Sequence, residues 1–167
     1  MRKQSGFTLV EIILSITLMG ILFTLSSLVL VQGLNAYRHI SARATNLNEA
    51  RYALERMVRE LRREGDENNI DDIKNIQSNS ITFIDALGNN TSFSLSGQNL
   101  LRDNDLLLNN VTALVFTGYR DTGAETSSAQ QVRRVRIQLT TTPPGQVASL
   151  LLVSDVFLRN YMYENFQ

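Results

Sequence analysis

The sequence has no cysteine and no tryptophan, a single histidine, and only two prolines among 167 residues. Without cysteine there is no disulfide, no thiolate metal site and no cysteine nucleophile, and the redox compartment stays undecided. His39 has no second imidazole to share a metal with. No G-x-S-x-G turn accompanies it, so neither a zinc site nor a charge-relay hydrolase has the residues it needs. Without tryptophan, an aromatic belt at a membrane interface would fall to Tyr and Phe. Net charge is missing too. Sixteen Lys and Arg balance sixteen Asp and Glu, so no overall field draws the chain toward nucleic acid or another polyanion. The prolines, Pro143 and Pro144, are adjacent, so none interrupts the chain before them.

What is present is a concentrated apolar run. Ile12 to Val31 is 20 residues without a charge, about 30 Å as a helix, which matches the hydrocarbon core of a bilayer. A secretory signal peptide has an apolar region of roughly 7–15 residues ending at a small-residue cleavage site. This run is longer, and the residues after it offer no such site, so it is expected to stay in the membrane. Arg2 and Lys3 precede it while Arg38, His39 and Arg43 follow, so counting positive charges does not orient it. A six-residue head is easily left in the cytoplasm, which favours an N-in, C-out arrangement. Glu11 is the difficult residue. A carboxylate at depth costs about 2.5–3.5 kcal/mol on insertion scales and usually has a partner. On one reading Glu11 sits at the headgroups and stays solvated. On the other, cleavage between Gly6 and Phe7 creates an amino terminus about 6 Å along the axis, and a neighbouring copy shifted axially presents that ammonium group to Glu11.

From Gln32 the apolar run stops, yet nothing ends a helix before Gly65. Leu34, Tyr37, Ile40, Ala44, Leu47, Ala50, Leu54, Met57, Val58 and Leu61 recur at three- and four-residue steps, predicting one apolar stripe. Arg51/Glu55, Glu55/Arg59 and Arg56/Glu60 stand at i,i+4 on the other face. Arg59, Arg62 and Arg63 suit the negative end of the helix dipole. A single helix is therefore expected from about Phe7 to Glu64, apolar all round in its first half and packed under a sheet in its second. Glu49, Glu55, Glu60 and Glu64 interleave with the arginines, so a solvated or subunit-facing surface is favoured over a nucleic-acid site.

Asp66 to Asn79 reads as a polar loop with at most one short strand or helical turn. Asp66, Glu67, Asp71 and Asp72 are acidic enough to consider calcium, but the alternating ligands and obligatory glycine of a calcium loop are missing. Asp103-Asn104-Asp105 fails the same test, because Leu107 stands at the next ligand position, and it is read as a turn. The period then becomes two. Ser80–Asp85 and Thr91–Leu95 form a hairpin about Gly88-Asn89-Asn90. Ser96-Gly97-Gln98 turns into Asn99–Arg102, and Leu106–Leu108 and Val111–Tyr119 follow, with Leu114 and Phe116 on one face. Arg120 to Gln130 is expected as a loop, Val135, Ile137 and Leu139 as inward-facing, and Val147–Leu158 as a last strand after the Pro143-Pro144-Gly145 turn. The fold class is α+β: a long N-terminal helix on an antiparallel meander. The expected organisation is a leader at 1–6, a transmembrane and assembly helix at 7–31, an amphipathic stalk at 32–65 and a β-rich domain at 66–167.

Gly6-Phe7-Thr8-Leu9-Val10-Glu11, after a short basic leader and before the apolar run, closely resembles the N-terminus of type IV prepilins and type II secretion pseudopilins. The resemblance implies that a prepilin peptidase cuts between Gly6 and Phe7 and methylates the Phe7 amine. It also implies that Glu11 recruits subunits into a filament of packed anchor helices, built on an assembly platform in the bacterial inner membrane with the C-terminal domain outside the cytoplasm. Major pilins commonly carry a proline within the anchor. Here Gly20 is the only internal breaker, so any local melting is expected near it. The order of the strand patterns, from ITF, FSL and LLR through VTALVFTGY and RRVRIQL to VFLRN, looks like that of J-type minor pseudopilins and W-type minor pilins. The subunit that caps such filaments typically lacks the glutamate, so Glu11 argues against that role. The function implied is a minor pseudopilin of a type II secretion or related filament. The alternative is a minor pilin of a type IV pilus, serving adhesion, motility or DNA uptake. An enzyme finds no nucleophile–base pair here, and neither a cofactor nor a nucleic-acid partner is called for. A ligand-binding tip using the Arg120–Gln130 loop with Arg133, Arg134 and Arg136 is weighed against an ordinary solvated basic row.

Overall fold

The computed structural model describes residues 8–62, 73–85, 87–145 and 147–158. The chain divides into two compact units, Met1–Ser41 and Ala42–Gln167. One helix, α1 (Leu9–Arg62), contributes to both. It begins where expected for local reasons. Thr8 stands outside the helix, and its carbonyl accepts the first helical bond from the Ile12 N–H. Its hydroxyl accepts from the Glu11 N–H at 3.3 Å, the geometry of an N-cap. Phe7 at one end and Glu64 and Gly65 at the other lie outside the described residues.

In the first unit α1 is uninterrupted through Gly20, the only internal breaker of the apolar run. A glycine costs a helix only about 1 kcal/mol relative to alanine, and the long apolar flanks carry it. This is the one described helix long and apolar enough to cross a membrane, with a mean hydropathy of 2.3 over its best window.

In the second unit α1 buries Asn46, Ala50, Ala53, Leu54, Met57 and Leu61 on one face. The expected stripe is buried from Ala50 to Leu61, and its upstream part is not. Leu34, Tyr37 and Ile40 are exposed and belong to the first unit. Ala44 is exposed as well, and Leu47 is half-buried. The burial begins instead at Asn46, a polar residue. It is tolerated because the Thr141 hydroxyl, fully buried on the sheet, donates to its side-chain oxygen, and a buried polar group without such a partner would cost about 1–3 kcal/mol.

The strands form two antiparallel sheets. The first is a meander of β1 (Ile73–Gln77), β2 (Ser80–Ile84), β3 (Asn90–Ser96), β4 (Asn99–Arg102) and β5 (Asp105–Leu108). The second places β7 (Glu125–Thr126), β6 (Val111–Tyr119), β8 (Arg134–Thr141) and β9 (Leu150–Phe157) in that order. The single meander read from the sequence is thus divided after β5. Asn110 adopts φ 57°, a left-handed turn that asparagine tolerates, and it redirects the chain. The nine residues of β6 then find their long partner in β8, which the four residues of β5 could not supply. Two further differences are local. The Arg120–Gln130 loop contains β7 and most of a 3-10 turn at Ala129–Gln131, and the last strand starts at Leu150. The β4–β5 loop, Asp103 and Asn104, has positive φ at both residues (51° and 76°), as a two-residue hairpin of the right twist requires.

The core collects the alternate residues of both sheets under α1. Phe83 and Phe93 stack at 5.8 Å between centroids, and Leu114, Phe116, Val135, Ile137 and Leu139 point inward. The two sheets meet closely at Gly118. A Cβ there would lie 2.7 Å from the Thr126 carbonyl oxygen, 2.8 Å from Val132 Cγ2 and 3.2 Å from Ile76 Cδ1. Because the nearest atom is backbone, Gly118→Ala is expected to destabilise the protein by about 1–3 kcal/mol, measured by denaturant titration of the detergent-solubilised chain. An unchanged midpoint would show that β7 can yield.

Candidate functional site

The side chains of Leu9–Val31 form an exposed apolar surface all round α1, and none of them is buried within the chain. The segment nonetheless contains six polar side chains: Glu11, Ser15, Thr17, Thr24, Ser26 and Ser27. Every hydroxyl is turned back onto the helix. Ser15 donates to the Glu11 carbonyl at 2.7 Å, Thr24 to Gly20 at 2.9 Å, Ser26 to Leu22 at 2.8 Å and Ser27 to Thr24 at 2.8 Å. Thr17 donates to the Ile13 carbonyl. Such back-bonding hides a hydroxyl from an apolar solvent, so the serines and threonines cost the anchor little. Glu11 is different. Its N–H and C=O are engaged with Thr8 and Ser15, but its exposed carboxylate has no hydrogen bond or ion pair among the described residues. It is the one polar side chain of the segment left unanswered, and it stands in the first turn, where the helix dipole favours a negative charge.

Gly6 and Phe7, the expected processing residues, lie outside the described residues, as do Asp66, Glu67, Asp71 and Asp72. Thr8 is the contributor the sequence reading passed over. The signal was available, since Thr8-Leu9-Val10-Glu11 is the T-x-x-E pattern of a capping box.

The other residues singled out are mostly engaged in structure. Asp103 accepts from the Ser92 N–H at 2.6 Å and pairs with Arg102 at 3.2 Å, which ties it to the hairpin. Among the described residues, no group of three or more His, Cys, Asp or Glu is placed to hold a metal ion. Of the three i,i+4 pairs expected on α1, Arg56–Glu60 forms at 2.9 Å. Glu60 also takes Arg102 of β4 at 2.7 Å, holding helix and first sheet together and raising the Arg102 pKa.

The basic row on β8 is woven into its neighbours. Tyr119, Arg134 and Phe157 are cross-strand neighbours on β6, β8 and β9. The Arg134 guanidinium lies 4.4 Å from the Tyr119 ring centroid and 5.8 Å from that of Phe157, a cation–π arrangement. Arg136 makes a bidentate pair with Asp155 at 2.9 and 3.1 Å. Arg133 donates to the Gln130 and Val132 carbonyls. This is a cross-strand clasp on a solvent face, the plainer of the two readings of the row.

Residues 1–27 match the family model described as the prokaryotic N-terminal methylation motif. That match supports the type IV pilin-like family. Compared with curated proteins, the chain matches none.

The clasp generates a pH expectation. The Asp155 carboxyl is held below its ordinary value of 3.8, chiefly by the hydrogen bonds from Arg136; burial opposes this, and the charges of Arg136 and then Arg134 add to the lowering. Asp85, accepting N–H bonds from Asn89 and Leu87, is lowered as well. A carboxyl with a depressed folded pKa contributes stability above its unfolded pKa, and this is lost as pH falls through the folded value. Stability should therefore be flat near neutrality and decline below about pH 4. The Asp155→Asn variant should show a shallower decline in denaturation midpoints measured across that range. The effect is small because the pair is partly solvated.

Proposed function

From an N-terminus that carries the methylation motif of the type IV pilin-like family, we propose that this chain is a minor pseudopilin. It would be a structural subunit of a type II secretion or related filament, processed by prepilin peptidase and assembled with other pseudopilins at the bacterial inner membrane to help initiate the filament. On this reading residues 1–6 are a cytoplasmic leader, 7–31 the membrane and assembly helix, 32–65 the stalk, and 66–167 the domain displayed beyond the membrane. The J-type pattern of the strands supports the minor role. The subunit is structural, and the residues that matter are those of assembly.

The observation that carries the proposal is Glu11. Every other polar side chain between Leu9 and Val31 is satisfied by the helix itself, while this carboxylate is not. In lipid an unpaired charge costs several kcal/mol. Cleavage after Gly6 would place the Phe7 ammonium one turn away, where it serves the Glu11 of an axially displaced neighbour. Attraction in that low-dielectric setting then turns a cost of insertion into a drive for association.

Two outcomes are expected. In cells containing prepilin peptidase, Gly6→Ala should retain the leader, so that intact-mass measurement finds the unprocessed chain; a mass matching processed wild type would sink the cleavage site. Glu11→Leu should insert into the membrane as wild type does but lose most of its co-purification with partner subunits, and undiminished co-purification would remove the assembly role.

A further inference from the structure

Four strands end the two sheets, and three of them carry features that discourage further pairing. β1 contains a register irregularity between Ile73 and Asn75, with Lys74 inside it. β5 has four residues and an irregular ladder with β4 at Leu100/Leu101. β7 has two residues. The fourth, β9, has no such protection. It runs eight residues, LLLVSDVF, in unbroken register with β8. It contains no proline, no lysine and no bulge, and its one charge, Asp155, is committed to Arg136. Its far edge pairs with no described strand. Leu151, Val153 and Phe157 are exposed at 63%, 49% and 63%, which makes it the least defended apolar edge of the described structure.

An open groove of about 510 Å³ lies beside this edge, with Val153 and Ser154 on one side and Leu54, Glu55, Val58, Arg59 and Arg62 of α1 on the other. Arg59 and Arg62 are exposed and have no carboxylate partner among the described residues. Against the single Glu55, they give the helix wall an excess of positive charge. The floor is apolar through Leu54 and Val58.

We propose that β9 is a docking edge for an extended, acidic and apolar segment of another polypeptide, which adds as a fifth strand to the second sheet. Its backbone would take up the free N–H and C=O groups of β9, its alternate apolar residues would cover Val58 and Val153, and a carboxylate would meet Arg59 and Arg62. Strand addition of this kind draws affinity from the main chain and specificity from alternate side chains. The edge favours a peptide over a nucleic acid, because phosphates would engage the arginines and leave the strand unused. This surface belongs entirely to the second unit, so the proposal stands apart from the role assigned to Glu11.

The test uses the full-length protein in zwitterionic nanodiscs and a synthetic peptide of about nine residues, a typical strand length, alternating valine with glutamate and threonine. Controls replace glutamate by lysine or place a proline at the centre. Charge-assisted contacts to two arginines predict that the acidic peptide binds about tenfold or more tightly than the lysine form. The proline form should not bind, and hydrogen exchange across Leu150–Phe157 should slow on binding. The exposed double substitution Arg59→Glu/Arg62→Glu should reverse the preference, and Val153→Lys should weaken binding of the acidic peptide. Equal affinity for the two charged peptides, no binding by either, protection that bypasses β9, or capture of a single-stranded oligonucleotide with β9 unprotected would each overturn the proposal. Self-association through β9 that excludes the peptide would overturn it too.

Discussion

An apolar solvent gives a polar group nothing to bond to, and the N-terminal half of α1 is organised by that constraint. The helix answers its own backbone, which is why a helix can stand in lipid at all. It also answers every hydroxyl between Leu9 and Val31, each of which donates to a carbonyl three or four residues back. Two accounts of Glu11 compete, a headgroup position and a paired position. A residue solvated at the headgroups needs no partner, yet the same first turn is capped by Thr8 and would be adequately started without an acid at that position. The Glu11 and Ile12 N–H groups are served by the Thr8 oxygens, and a glutamate at this position also suits the capping box that Thr8 opens. On the proposed reading, an intermolecular partner neutralises the charge that the helix itself leaves unpaired.

The second unit instead joins its helix to its sheets through polar contacts between residues distant in the chain. Asn46 and Thr141 stand 95 residues apart in sequence and meet where the buried face of α1 begins. Glu60 meets Arg102 nearer its end. Between these two polar contacts the contact face is small and apolar, with Ala50 and Ala53 fully buried beside Leu54 and Met57. Two alanines allow the helix backbone to come close to the sheet. The polar contacts then fix its sliding and rotation, which an alanine–leucine face alone would leave loosely specified.

The sequence was informative wherever physics is periodic and local. A run of 20 uncharged residues, a helical stripe from Ala50 to Leu61, and the inward row Val135, Ile137, Leu139 are each set by one element meeting one environment. What stayed hidden depends on residues distant in the chain. The burial of Asn46 has no local signal, because its partner lies on β8. The need for Gly118 is equally non-local, since its missing side chain is what lets Thr126, Val132 and Ile76 converge. The division into two sheets turned on the left-handed Asn110 and on the relative lengths of β5, β6 and β8, and no single stretch displays that comparison. At the candidate site Glu11 was legible from its misfit, while Thr8 was concealed by being ordinary.

Both the lone carboxylate and the free edge of β9 are places where the described chain runs out of its own partners, but they differ in force. An ionised carboxylate in hydrocarbon is penalised by several kcal/mol until something neutralises it, so on the proposed reading Glu11 makes the isolated subunit the unfavourable state. The outer N–H and C=O groups of β9 face water and are satisfied by it, so a docking strand exchanges one set of hydrogen bonds for another at roughly 0.5–1.5 kcal/mol each. On that reading the first site drives association wherever the helix lies in lipid. The second only permits it, and only for a segment whose side chains suit Val58, Arg59 and Arg62. A subunit of the proposed kind, which joins a filament yet chooses its contacts, would use one site of each kind.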